Sequence, residues 1–245
     1  MKIPILILTA LLILPLSGLE KGKRFIVRAE DGLTEVIKEE LQAVQRNSSA
    51  GFALRKEKSE HEILVISTNQ EKKALEIRPW LRKGFLFLVD PHHPRNSISK
   101  EEAEKFLKND QHEWEKNGKK IRNIYYLNGI LTPAPMKKGK TRQIAIPYAD
   151  LAEKMLKSDP NSVAILPLDS LMTPQNAKIL AVDGIKPDFE SVTQDSYPMQ
   201  KLYYIQRIAD IPEAHELMSR LRDPKFRKTI LESGAIPVPD TEKVK

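Results

Sequence analysis

The sequence predicts an α/β protein built as two lobes, each a sheet with helices packed on it, between which the chain passes twice. Strand-like apolar runs alternate with segments of helical periodicity along most of the chain. The stretch at about 179–200 carries the Gly, Pro, Asp and Ser punctuation of a chain leaving one unit for another, and a stretch at about 85–95 carries Asp and Pro. At 245 residues, with 40% hydrophobic and 30% charged residues, the chain is long enough for a large core and ordinary in composition.

The elements follow in order. Phe25-Ile26-Val27 reads as a first strand and Ala29-Glu30-Asp31-Gly32 as a turn; Leu33, Val36, Ile37, Leu41 and Val44 then recur at helical spacing through Arg46. In a strand–turn–helix unit, the loop after the strand and the free N–H groups of the helix N-terminus face any ligand. Asn47 to Gly51 break the helix, and Glu62 to Ser67 form the next strand, ending in Ser67-Thr68-Asn69. Arg78-Pro79-Trp80 leads to a strand over Phe85 to Val89. Ser99-Lys100-Glu101-Glu102 has the form of a capping box, so a helix is expected from Glu101 to about Lys108 with Ala103, Phe106 and Leu107 inward.

Ile121 to Leu127 is a strand, followed by Asn128-Gly129 and a loop through Thr132 and Pro135. Ile146-Pro147 precedes a helix with Leu151, Met155 and Leu156 on its apolar face, closed by Ser158-Asp159-Pro160. Val163 to Pro167 is a buried strand. Ile179 to Val182 is a short strand ended by Asp183-Gly184, Lys186-Pro187 fixes a turn, and Tyr197-Pro198 feeds Leu202 to Ile205. Two helices finish the chain, Glu213 to Arg222 and Pro224 to Ser233, with Gly234 in the usual C-terminal capping position.

Three stretches carry a family resemblance. The run from Ile179 through Val182-Asp183-Gly184-Ile185, Lys186-Pro187 and Tyr197-Pro198 to Ile205 resembles the late segment of phosphate-type periplasmic solute-binding proteins. Upstream, Phe85 to Ser99, with Asp90-Pro91-His92-His93-Pro94-Arg95-Asn96 and then Trp114, resembles that family's strand, Pro-bracketed turn and helix start. Downstream, Phe226 to Val238, with Ser233-Gly234 and Ile236-Pro237, resembles its last helix and ending. The resemblance covers roughly the last two thirds of the chain, with the motifs in the family's order. It implies a two-lobe, type 2 periplasmic-binding-protein-like fold with two interlobe crossings. Residues 24–90 and 197–245 would then form one lobe and 91–196 the other, with a ligand in a cleft closed by hinge motion.

By the same resemblance the cleft would be lined by Gly32, Thr34, Ser67, Thr68, Asn128, Gly129 and Thr132. Helix N–H groups and Ser/Thr hydroxyls suit the oxygens of a small anion, often with an Arg for bidentate pairing. The sequence departs from that pattern at two loops. Glu30 and Asp31, two carboxylates that would repel a phosphate, stand where a Gly-Ser cradle is expected, and Tyr126 to Thr132 lacks the expected Arg and Ser. Ser and Thr after a strand are also ordinary turn chemistry.

Other constellations are weaker. Asp90, His92, His93, His112 and Glu113 would have to gather round a metal, but His92-His93 lies in a Pro-bracketed turn where neighbouring side chains diverge; no metal or other cofactor is expected. Asp169, Ser170 and a histidine could compose a triad, yet no Gly-x-Ser-x-Gly elbow is present, so no catalysis is expected. Gly139-Lys140-Thr141 echoes a P-loop whose first Gly is replaced by Ala134. Tyr125, Tyr126, Tyr197, Tyr203 and Tyr204 lie in or beside strands and read as core residues.

Compartment and charge narrow the class. Met1-Lys2, the uncharged run Ile3 to Leu16 and Ser17-Gly18 have the layout of a secretory signal peptide over residues 1–18, shorter than the about 20 apolar residues of a membrane span; an uncleaved anchor is the alternative, since Leu16-Ser17-Gly18 is a poor cleavage site. There is no Cys, which excludes disulfides, thiolate catalysis and Cys-based zinc sites. The net charge of +7 is scattered, with one cluster at Lys137 to Arg142, and reads as solvated loop rather than a nucleic-acid surface. The expectation is a periplasmic or secreted, non-enzymatic protein that binds phosphate, another small anion or another small solute and works with an ABC transporter or envelope protein. The alternative is a ligand-free envelope interaction or assembly module on the same fold.

Overall fold

The computed structural model describes residues 24–30, 33–48, 50–108, 110, 113–114, 119–127, 141–168, 174–232 and 235–239. The expected signal segment, residues 1–18, lies outside these residues. In chain order the elements are β1 (Arg24–Ala29), α1 (Thr34–Arg46), β2 (Gly51–Arg55), β3 (Glu62–Ser67), β4 (Glu76–Val89), β5 (Ser97–Ile98), α2 (Lys100–Lys108), β6 (Asn123–Leu127) and β7 (Arg142–Ile146). There follow α3 (Asp150–Ser158), β8 (Val163–Pro167), β9 (Lys178–Ile179), β10 (Ala181–Val182), α4 (Phe189–Thr193), β11 (Gln200–Arg207), α5 (Pro212–Arg222), α6 (Phe226–Glu232) and β12 (Ile236–Pro237).

One long strand organises the molecule. The first half of β4 closes a sheet ordered β2-β1-β3-β11-β4, in which β1, β2 and β3 run parallel and β11 runs antiparallel between β3 and β4. Its second half, Phe85 to Val89, leaves β11 and continues into a second sheet, pairing with β8 and β9; β6 and β7 extend that sheet beyond β8. The ladder is therefore continuous, but the cores on it are separate. Val27, Ile37, Val44, Ile66, Trp80, Leu81, Ile205, Leu217 and Ile230 pack in the first, and Phe87, Val89, Phe106, Trp114, Ile124, Ile165, Val182 and Tyr197 in the second. Leu86, Leu88, Ala164 and Leu156 form a third core on the other face of the second sheet. Fully burying each such side chain is worth about 1.5–3 kcal/mol, so each unit holds itself together by its own apolar face.

The change of sheet is fixed at Gly84. A Cβ there would stand 3.0 Å from Val192 Cγ2 and 3.3 Å from Leu168 Cβ, so a side chain at the crossing would push against α4 and the residue after β8. Leu168 N–H donates to the Gly84 carbonyl at 2.8 Å, Phe85 N–H to the Met199 carbonyl at 2.9 Å, and the Tyr197 hydroxyl to the Phe85 carbonyl at 2.7 Å. Burial at this crossing pushes the Lys83 ammonium down to about 8. Phe85 to Val89, Tyr197 and Met199 all pack in the cores of the second sheet.

Several elements differ from expectation, each for a physical reason. β4 begins at Glu76 and runs through Pro79, because the register slips between Tyr203 and Tyr204 and leaves the strand bulged where Pro lacks its donor. β2 and β7, edge strands with half-buried patterns, carry little period-two signal. Asp183 and Gly184 have φ of 50° and 79° and join Val182 to Ile185 in a two-residue turn, the conformation that Asp-Gly favours. The Ser99 hydroxyl does accept from the Glu102 N–H at 3.1 Å, but the Glu102 carboxylate turns to Arg95 instead of completing the capping box.

Candidate functional site

In parallel sheets, ligands collect outside the carboxyl ends of the strands. Here β1 and β3 are adjacent and parallel, and the ladder runs one residue further: Glu30 N–H donates to the Ile66 carbonyl at 3.1 Å. That bond sets the Glu30 side chain beside the residue after β3. Thr68 N–H donates to Glu30 Oε1 at 2.8 Å, and the Thr68 hydroxyl lies 3.0 Å from Oε1 and 3.3 Å from Oε2. Two donors of one residue thus converge on a carboxylate of the same chain, in charge-assisted bonds.

Ser67 faces inward. Its side chain donates to the Asn69 carbonyl at 2.7 Å and accepts from Gln206 Nε2 at 2.9 Å. Gln206, on β11, is 0% exposed. Its Nε2 also donates to the Asn69 carbonyl at 2.7 Å, and its Oε1 accepts from Glu71 N–H at 2.6 Å. Arg28, Val65 and Gln206 are neighbours across the sheet on one face. Arg28 pairs with Glu62 at 2.8 Å and also with Glu71, whose carboxyl it holds below the usual carboxylate range. Ser67, Asn69, Gln206 and the Glu71 N–H therefore satisfy one another behind the strand ends, while Glu62 Oε2 is buried with no hydrogen-bond partner among the described residues.

Of the residues expected to line the cleft, Ser67 and Thr68 are brought together with Glu30 at the ends of β3 and β1, and Thr34 is the first residue of α1. Gly32, Asn128, Gly129 and Thr132 lie outside the described residues, as do Asp169, Ser170 and His112. The sequence reading took Glu30 as a charge that repels anions and missed it as the partner of Thr68. Gln206 was also missed, although a Gln inside the apolar alternation of β11 is the kind of signal that marks a buried hydrogen-bonded position.

The Pro-bracketed turn after β4 builds a second polar cluster. Arg95 meets Glu102 through two bonds of 2.6 Å, and its guanidinium lies 5.4 Å from the centre of the Trp114 ring. The His93 and Trp114 ring centroids are 4.5 Å apart with the planes tilted by 45°, and Lys178 Nζ donates to the His93 carbonyl. Among the described residues no group of three or more acidic, His or Cys side chains could hold a metal. Burial first, then the positive charges of Lys178 and Arg95, push the His93 imidazole below its ordinary 6.5.

That shift has a sign. The folded chain binds a proton at His93 less readily than the unfolded chain, so the stabilisation is complete above pH 6.5 and is lost as pH falls through the lower folded value. His93→Gln should flatten this part of the profile. Urea melts of both proteins from pH 7 down to pH 5 measure it, and parallel profiles would contradict the assignment.

A shallow depression of about 10 Å³ lies between β4, α5 and α6; Trp80, Leu221, Arg227 and Val238 line it, and it includes none of the expected site residues.

The fold is that of the type 2 periplasmic binding proteins. Within that class the chain resembles phosphate-type receptors at low identity. An ABC-type phosphate transport receptor from Vibrio cholerae superposes with a TM-score of 0.65 at 11% identity, covering 88% of this chain and 100% of its own. PstS from Borrelia burgdorferi gives 0.63 at 13%, covering 89% and 99%. A possible phosphate binding protein from Planctomyces limnophilus gives 0.67 at 10%, covering 89% and 94%. By sequence, no protein-family model matches the chain and no curated protein does.

Proposed function

We propose that the chain is an exported, non-enzymatic protein of the solute-binding type. It holds a small solute between two lobes and works with an ABC transporter or another envelope protein. The observation that carries this reading is the likeness to phosphate transport receptors over nearly the whole chain, with one passage inside β4 at Gly84 and the return just before β11. We place the lobes on either side of Gly84 and Met199, with 24–84 and 200–239 in one and 85–199 in the other. The expected ligand position is then the end of β1 and β3, where Glu30 and Thr68 meet.

A thermal-shift and calorimetric titration over phosphate, sulfate, molybdate, small organic acids, amino acids and amines tests it. The expected outcome is saturable stabilisation by one member of the set. Stabilisation by none would overturn solute capture. The second reading, a ligand-free envelope module, is favoured by one observation: the Thr68 donors and the Ser67 hydroxyl already have acceptors or donors within the chain. Co-purification of a stable envelope partner, with a melting curve indifferent to solutes, is what that reading expects.

A further inference from the structure

We propose that Glu30 is a resident carboxylate in the half-site at the ends of β1 and β3, a specificity-determining residue that occupies the oxyanion position offered by Thr68 and so excludes phosphate-type solutes. It rests on the solute-binding reading for the location of the site and on the hydrogen bonds for its content. A backbone N–H and a hydroxyl that converge on one point form the donor pair an oxyanion would use. Here both reach Glu30 Oε1, at 2.8 and 3.0 Å, and the hydroxyl touches Oε2 at 3.3 Å.

An incoming oxyanion has two routes, and both are disfavoured. It could displace Glu30, but that carboxylate is tethered one residue past β1, so it competes at the high effective concentration of an intramolecular ligand. It could sit beside Glu30, but then two anions would share the site. Among the described residues no ion pair to Glu30 would relieve that repulsion, and the neighbouring Arg28 is engaged by Glu62 and Glu71. The same geometry explains how a chain with the phosphate-receptor fold departs from the Gly-Ser cradle without leaving Thr68 unsatisfied: the replacement supplies its own anion.

The test uses the purified exported chain and inorganic phosphate, with sulfate as a second probe. The wild-type melting temperature should not respond to millimolar phosphate. Glu30→Ala should gain a saturable rise of roughly 5 °C at phosphate a hundredfold above its dissociation constant. Thr68→Val in that background should abolish the gain. A wild-type response equal to that of Glu30→Ala overturns the proposal, and so does a folded Glu30→Ala that ignores both anions. Should Glu30→Ala fail to fold, Glu30→Gln keeps the size and one acceptor while removing the charge; it should gain a smaller response, and its indifference to both anions also overturns the proposal. These outcomes are separate from the fate of solute capture, which is decided by the wild-type protein against the full solute set.

Discussion

Glu102→Ala should be the most damaging single change in the second lobe, at about 3–5 kcal/mol, because it strands the Arg95 guanidinium in the interior without its partner. The pair is closed from solvent, with side-chain exposures of 8% and 0%, and its two bonds are both 2.6 Å. Removing one ion of such a pair costs more than the pair contributes, since the remaining charge keeps its desolvation penalty and loses its compensation. The double replacement Arg95→Met with Glu102→Leu should therefore recover most of the loss. It restores apolar packing against Trp114 and leaves the Glu102 backbone N–H bonded to Ser99. Urea denaturation of the two proteins decides it. A loss under about 1 kcal/mol for Glu102→Ala would mean that water reaches Arg95 and the pair behaves as a surface bridge.

Trp80→Ala should cost the first lobe a similar amount, about 3–5 kcal/mol, through loss of a large buried ring. Trp80 is the point where β4 meets the C-terminal helices. Its ring stacks on Phe226 with a 4° interplanar angle, its Nε1–H donates to the Leu221 carbonyl at 2.7 Å, and its own carbonyl accepts from Val238 at 2.8 Å. Trp80→Phe keeps an aromatic partner for Phe226 but orphans the Leu221 carbonyl, which should lower stability by about 1–3 kcal/mol. The chain has two tryptophans, and Trp80 and Trp114 belong to different cores. Fluorescence of Trp80→Phe therefore follows the second lobe through Trp114 alone, and that of Trp114→Phe follows the first. Coincident melts in both variants would show that the seam at Gly84 makes the lobes one cooperative unit.

Much of the architecture was legible in the sequence because it is written in local periodicity. The 3.6-residue recurrence of Leu33, Ile37, Leu41 and Val44 gives α1, the apolar run Glu62 to Ser67 gives β3, and Asp183-Gly184 gives a turn that only residues tolerant of positive φ form easily. The motifs around Phe85 to Arg95 and Ile179 to Ile205 pointed to the fold that the structural likeness shows. What failed to show was decided by pairing at a distance. Pro79 reads locally as the end of a strand, yet β11 carries β4 past it because the bulge opposite Tyr203 and Tyr204 removes the need for its missing donor.

The sequence by itself determined the alternation of strands and helices along the chain, since each element depends on residues a few positions apart. Only the tertiary structure decided which polar groups meet. Glu30 finds Thr68 across 38 positions and Ser67 finds Gln206 across 139. A carboxylate that the sequence presents as a bar to anions becomes, once β1 and β3 lie side by side, the group that satisfies the donors waiting there. Hydrogen-bond partners are chosen by proximity in the folded sheet, and proximity between strands is a property of register that no local pattern encodes.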